Sequence, residues 1–422
     1  MHSKSAPDDP GEAATAAARL RGQWLTDRRA RRPGEVVHHL LAVQAQDLVG
    51  ARLAVRARST GLTAWDVDAA LERRELVVTW LNRGTLHLVT AADYWWLHPL
   101  TAPRTLTSVT RRLRQEHVSP EQAERGLETI VEAIRREGPR TRAQLKICLD
   151  EVGVPTAGQA LVHVLAAASL AGLVVRGPAV GVGQAYVLVD DWLGPAPTAL
   201  DRPEALARLA ARYRAGHACV GAADLAAWAG ITLGDAREGL AAAVEAEPSP
   251  TRPDARDGQP DPVLLGPFDP VLHGWPDRGW LLGPYRQVVT TNGIFRPTVL
   301  AGGRVVGTWT RPRGQVELTL FEEVGPDVRR ALAVDGIDVA RFLGTQHRGE
   351  GGSSFPRALE VAGDERDDAE DQEPETGQRS QAQGDQAAAV ADAVDPSAVE
   401  NGCGAGDQEH RHRWNGGNQV HP

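Results

Sequence analysis

The chain has 422 residues, 42% of them apolar, and a formal net charge of −9. That apolar content is enough for two or three domains with their own cores, and no apolar run approaches the roughly 20 residues of a membrane span. The N-terminus, MHSKSAPDDPGEAATAAARL, holds no continuous apolar stretch of the kind a secretory leader needs, so the sequence excludes membrane insertion and places the chain in the cytoplasm.

Cys148, Cys219 and Cys403 are far apart and lack CxxC or histidine-spaced partners, which argues against a disulfide framework or a zinc or iron–sulfur site and leaves buried or free thiols. The negative charge is not spread evenly. Residues 350–422 hold 5 Arg against 16 acidic residues, so residues 1–349 carry a net charge of +2. Lys4 and Lys146 are the only lysines, and the remaining 44 basic residues are arginine. Lys4 lies in a polar leader and Lys146 within a helical core pattern, so a lysine Schiff base has almost no candidate.

In chain order, the apolar spacing predicts helices over about 34–43, 47–58 and 64–74. Gln44 extends the apolar stripe of the first. Gln46 falls about 200° further round an ideal helix, so the two amides share a cavity only if the helix bends or ends between them. Asp47 is a good N-cap for the next helix, DLVGARLAVRAR, and this junction is the first sign of a site. ELVVTWLNRGTLHLVT follows as a hairpin turning at Asn82, Arg83 and Gly84. His87 shares a strand face with Thr85 and Val89 there. RTLTSVTRRLRQEH, with Arg104, Arg111, Arg112 and Arg114, is a basic helix, and Tyr94, Trp95 and Trp96 ahead of it read as core.

Ser119, Pro120 and Gln122 start a capped helix, and Thr141 with Gln144 caps the next. A third helix opens at Thr156 and closes at Gly172, and LVVRGPAVGVGQAYVLV alternates as a hairpin. The order helix, helix, turn, helix, hairpin is that of a winged helix-turn-helix. Leu76-Val77-Val78 and Leu173-Val174-Val175 open the two hairpins 97 residues apart, which marks an internal repeat. Residues 204–244 give a fainter third copy with Gly230 at its turn. Beyond a polar, proline-rich loop at 247–262, the runs DPVLLGPFDP, GWLLG, YRQVVTTNGIFRPTVL and GRVVGTWTRPRGQVELTLFE predict an antiparallel sheet, and GPDVRRALAVDGIDVARFLG a closing helix. The expected organisation is α+β, mainly α. It comprises winged-helix units at 12–118, 119–198 and 199–258, a C-terminal β region with its helix at 259–345, and an acidic, disordered tail at 346–422.

LLAVQAQD, VVTWLNRGTLHLVTAADYWWL, LLGPFDPVLHGWPDR and NGIFRPTVLAGGRVVGTW, in that order, resemble the winged-helix DNA glycosylases of the AlkZ-like and YcaQ-like kind. The resemblance covers residues 14 to 345. It implies three tandem winged-helix units in a C-shape around a concave DNA face, and hydrolysis of the N-glycosidic bond of N7-alkylated purines, with some members unhooking interstrand crosslinks. The AlkZ-like branch carries Gln, apolar, Gln as its catalytic motif, and Gln44-Ala45-Gln46 matches that form. The partner implied is double-stranded DNA with alkylated purines. The chain would act as a monomer without a metal or organic cofactor, in alkylation repair or in self-resistance to a DNA-alkylating natural product. An N7-alkylated base already carries positive charge, so the bond breaks without a general acid. The glutamine carbonyls need only orient a water and face the cationic sugar with a dipole. Without a usable lysine, a monofunctional enzyme leaving an abasic site is expected.

Arg83 at the first wing tip, Thr85 and His87 on its strand, Arg296, and Arg311 and Arg313 at the turn TRPRG are candidate DNA contacts. Each also has a plainer role, since hairpin tips carry arginine for solubility and half-buried strand histidines are common. GPAVGVGQ lies inside a hairpin, lacks the Lys-Ser/Thr of a P-loop and opens no helix, so it is no phosphate loop. EHRHRW is too short for a metal site. His38 and His39 point about 100° apart on a helix and cannot chelate together. The rival readings are a winged-helix transcription regulator without catalysis, which predicts a dimer and a palindromic operator, and a protein that sequesters damaged DNA.

Overall fold

The computed structural model describes residues 10–180, 183–246 and 260–344. These described residues form one compact unit. The tail assigned to 346–422, with Cys403 and EHRHRW, lies outside the described residues, as do Lys4 and most of the 247–262 loop.

The chain opens with α1 (Pro10–Gly22), a helix hidden from the sequence reading by its polar, alanine-rich start. α2 (Pro33–Leu40), α3 (Leu48–Arg56) and α4 (Ala64–Glu72) follow near their expected places, with the two-residue strand β1 (Val43–Gln44) between α2 and α3. β2 (Leu76–Leu81) and β3 (Thr85–Thr90) make the first hairpin. Thr90 then caps α5 (Ala91–Gln115), which runs through Pro99 and Pro103 and so fuses the aromatic segment to the basic one. Arg104, Arg111, Arg112 and Arg114 are exposed along it, while Tyr94 and Trp96 are buried.

α6 (Pro120–Glu137) and α7 (Arg142–Glu151) begin at the expected capping boxes of Ser119 with Gln122 and Thr141 with Gln144. α8 (Ala160–Leu170) and the hairpin β4 (Val174–Val180) and β5 (Gly183–Leu188) complete that repeat. The two hairpins join through Val78 opposite Arg176 into one sheet of order β1-β3-β2-β4-β5. α9 (Val189–Leu193) leads to a third helical group, α10 (Arg202–His217), α11 (Ala222–Ala229) and α12 (Leu233–Ala246), after which the next strand described is β6.

The second sheet is smaller than expected: β6 (Val263–Leu265), β7 (Thr298–Ala301), β8 (Arg304–Thr310) and β9 (Glu317–Leu320), paired in that order. GWLLG, expected as a strand, is the single turn α13 (Gly279–Leu282), and only the last three residues of YRQVVTTNGIFRPTVL pair in the sheet. α14 (Pro326–Phe342) closes the unit as expected.

The first sheet is buried on both faces. Val78, Leu86 and Leu88 pack with Val36, Leu40 and Leu53 of α2 and α3, in a core that continues through Leu264 and Trp309 to Leu332 and Phe342 of α14. Val77, Leu81 and Val89 face Leu97 of α5 and Leu206, Leu209 and Tyr213 of α10. Two arginines pin α3 to the C-terminal region. Arg56 meets Asp335 on α14, and Arg58, fully buried, meets Asp269.

Candidate active site

The glutamines do not continue a helix. α2 ends at Leu40, and Leu41, at φ 67° and ψ −46°, is the centre of a γ-turn in which the Ala42 N–H donates to the Leu40 carbonyl at 2.8 Å. This is a rare conformation for a side chain branched like leucine, and it sends the chain out as the edge strand β1. Gln44 stands opposite His87 on β3, and the Ala45 N–H carries the pairing one residue further to the Leu86 carbonyl at 2.8 Å. Residues two apart on a strand share a face, so Gln44 and Gln46 meet without any helix bend.

Gln44, 7% exposed, donates from Nε2 to Oε1 of the exposed Gln46 at 2.6 Å. That leaves the Gln44 carbonyl and the Gln46 amide nitrogen without a hydrogen-bond partner among the described residues. A sheltered amide oxygen left so costs about 1–3 kcal/mol, which an ordered water would recover. Asp47 turns Oδ1 onto the N–H groups of Val49 and Gly50, so it caps α3 as the sequence predicts.

His87 lies on the same sheet face as Gln44 and donates from Nδ1 to the Thr85 carbonyl at 2.9 Å, which leaves Nε2 as an acceptor. Burial, then the nearby Arg83 charge, lowers its pKa to about 3, so the ring is neutral at pH 7. Thr79, its cross-strand neighbour on β2, is buried with no partner for its hydroxyl among the described residues. The Thr85 hydroxyl is spent on the turn, bonding the Asn82 carbonyl at 3.4 Å.

The hairpin tip does not project. Asn82 is fully buried, and a Cβ on Gly84 would sit 3.1 Å from Thr105 of α5. Arg83, at φ 52°, lies over Gly230, whose own φ of 72° closes α11. A Cβ on Gly230 would come within 3.0 Å of the Arg83 backbone nitrogen, so this close approach needs glycine. Arg83 keeps solvent access, yet crowding and then the Arg278 charge lower its pKa.

Two further residues belong to this recess and were not singled out in the sequence. Asp269 caps the turn Pro270–Leu272, which delivers His273 and Arg278. His273 is 8% exposed, its ring centroid 4.1 Å from that of Phe295, and its Nε2 has no partner among the described residues. Burial and then the charges of Arg83 and Arg278 hold it well below the usual histidine pKa. Arg278 donates from Nε to the Leu272 carbonyl at 2.7 Å and lies 5.2 Å from the Phe295 ring centre. Tyr213 of α10 donates to the Gly274 carbonyl and so fastens this segment from below.

Arg296, Arg311 and Arg313 flank the second sheet instead. Arg296 and Arg313 are exposed, Arg313 takes φ 54° at the β8–β9 turn, and Arg311 donates from Nε to the Gly314 carbonyl. Lys146 is not in a core pattern. It is exposed on α7 and pairs with Asp150 at 2.7 Å. No helix described is long and apolar enough to cross a membrane, and Cys148 is a free thiol.

The profile of a family described as DNA glycosylase AlkZ-like matches residues 37–342. The chain is similar to a solved structure, the Streptomyces sahachiroi DNA glycosylase AlkZ, with a TM-score of 0.61 at 23% sequence identity over 79% of this chain and 96% of that one. No curated protein matches the chain.

Proposed function

The chain belongs to the AlkZ-like DNA glycosylase family, and from that membership we propose that it hydrolyses the N-glycosidic bond of N7-alkylated purines in duplex DNA, with Gln44 and Gln46 holding the attacking water. The observation that carries this reading is the pair itself: an amide fixed through its Nε2 by its neighbour, its carbonyl turned free, in a recess of neutral imidazoles and cations. The Gln44 carbonyl would accept a hydrogen bond from the water and orient its lone pair on C1′. As the water oxygen bonds C1′, the C1′–N9 electron pair returns to the purine and cancels its positive charge, and the spare proton leaves to solvent. Glutamine supplies position and a preorganised dipole here, not proton transfer. Lys146, tied to Asp150, offers no Schiff base, so the product is an abasic site.

In this reading the helix–helix–helix–hairpin groups at 12–118 and 119–198 and the helices at 199–258 act as three winged-helix units arranged in a C-shape. Arg83, Thr85, His87, Arg296, Arg311 and Arg313 then serve the DNA face, with 259–345 as the C-terminal β region. The test is base release from duplex DNA carrying N7-methylguanine or a nitrogen-mustard crosslink, with alkali to cut abasic sites. Wild type should release base, and Gln44→Ala and Gln46→Ala should each fall by about 10²–10³-fold, the usual loss for one preorganised polar group. Release of neither substrate while DNA binding persists would overturn the proposal.

A further inference from the structure

We propose that Arg83 and Arg278 together form a binding site for one phosphodiester of the DNA backbone, beside the glutamine pair and next to the damaged nucleoside. The inference rests on the glycosylase reading and adds a residue, Arg278, and a ligand group to it.

The two arginines come from distant parts of the chain. The β2–β3 turn lays Arg83 over Gly230, and Arg278 is held by the Leu272 carbonyl against the Phe295 ring. Each is fixed by its backbone or stem, so neither guanidinium depends on an anion of the protein for its place.

The two fully buried arginines are matched by carboxylates: Arg56 has Asp335 and Asp338, and Arg58 has Asp269; the half-buried Arg212 has Asp93. Among the described residues neither Arg83 nor Arg278 forms an ion pair, and after burial the Arg278 charge is the next cause that lowers the Arg83 pKa. Asp277, next in sequence to Arg278, offsets that one only in part. Arg83 is exposed and Arg278 half-buried, so two cations without a carboxylate stand at the mouth of the recess, where they repel each other and an anion from outside can reach both. An anion placed between them removes the conflict.

The recess also offers what an ester phosphate needs besides charge. His273, more than nine-tenths buried, has Nε2 without a partner among the described residues, within range of both arginines and of His87. His87 in turn is the cross-strand partner of Gln44, so the anion site adjoins the water site. Guanidinium forks suit phosphate oxygens, and a phosphate held here would fix the sugar that the water attacks.

The experiment measures binding of the full chain to a duplex with one tetrahydrofuran abasic analogue, titrated at several KCl concentrations, for wild type, Arg83→Gln, Arg278→Gln and the double variant. Each single variant should bind about tenfold more weakly, with the slope of log K against log salt smaller by about one. Thermal stability should hold or rise, because a like-charge repulsion is removed; a merely structural arginine would lower it. A single methylphosphonate linkage walked along both sides of the analogue should weaken wild type about tenfold at one position and leave the double variant unaffected there. Inorganic phosphate at constant ionic strength separates the backbone phosphate from the free ion. Competition limited to millimolar concentrations is expected, and phosphate raising the melting temperature at micromolar concentration would overturn the DNA assignment. Unchanged affinity and salt slope, or no sensitive methylphosphonate position, would overturn the site itself. Binding is read without turnover, so absent base release would sink the glycosylase reading alone.

Discussion

Asp269→Asn tests how the recess is held. Arg58 directs all five of its N–H groups to acceptors: the Gln23 carbonyl and Oε1, the Ala54 carbonyl, and both oxygens of Asp269. Both partners of the ion pair are fully buried. Asparagine keeps the shape but leaves the guanidinium without a counter-charge, a loss of about 3–5 kcal/mol for a buried pair. For the compact unit, an unfolding entropy of about 2.1 cal/mol/K per residue gives about 0.7 kcal/mol/K, so Tm should fall by about 4 to 7 °C. Asp269 also caps the turn that presents His273 and Arg278, so DNA affinity and base release should fall at 25 °C, where the variant is still folded. The control is Asp335→Asn, which breaks the comparable Arg56 pair on α14. Differential scanning calorimetry and single-turnover base release on both variants are the assays. A comparable Tm loss in both, with the larger activity loss in Asp269→Asn, is expected. A Tm shift under about 1 °C, or equal activity losses, would refute the argument.

Further outcomes follow from the same geometry. Gly230→Ala drives a Cβ to within 3.0 Å of the Arg83 backbone at φ 72°, and should cost about 1–3 kcal/mol by denaturant titration and weaken DNA binding with it. His87 and His217 are held neutral by burial, with pKa values of about 3. The unfolded chain regains ordinary values near 6.5, so it binds more protons as the pH falls below that. Their contribution is therefore complete above about pH 7.5 and lost progressively from 6.5 downward, by about 2 kcal/mol each at pH 5; a Tm that stays flat from pH 7 to 5 would contradict it. Arg313→Ala, at the exposed β8–β9 turn, should reduce the salt slope of DNA binding by about one and leave single-turnover base release at saturating protein unchanged.

What was legible in the sequence was what local chemistry decides. Ser119 with Gln122, Thr141 with Gln144 and Asp47 announce helix starts by side chains that bond N–H groups two or three residues on, and all three stand where the spacing puts them. His87 could be placed by strand alternation. Gln44 was misplaced on a helix because Leu41 adopts a positive φ that no leucine signals, and a γ-turn changes the period from 3.6 to 2 in one residue. Short apolar runs such as GWLLG fit a helical turn as well as a strand, and packing decides between them. Arg278 was invisible for a different reason. Among 44 arginines nothing local marks one whose charge is felt by another 195 residues away in the chain.

The distribution of charge in this fold follows the chemistry asked of it. Carboxylates that could act as bases are used up in the frame: Asp335 and Asp269 neutralise buried arginines, Asp93 holds Arg212 and Trp96, and Asp47 caps α3. Opposite Gln44 stands a neutral His87, which feels the Arg83 charge, and the equally neutral His273 feels both Arg83 and Arg278. Such a recess is poorly suited to protonating a leaving group, because burial, and then the nearby positive charges, hold its imidazoles in the neutral form. It is well suited to a leaving group that departs by losing a positive charge it already has, provided the attached phosphate is gripped. The same accounting predicts the discrimination: a neutral purine, which needs a proton to leave, should be released far more slowly than N7-methylguanine from otherwise identical duplexes. Parallel release of the two at comparable rates would show that some group in the recess does supply a proton.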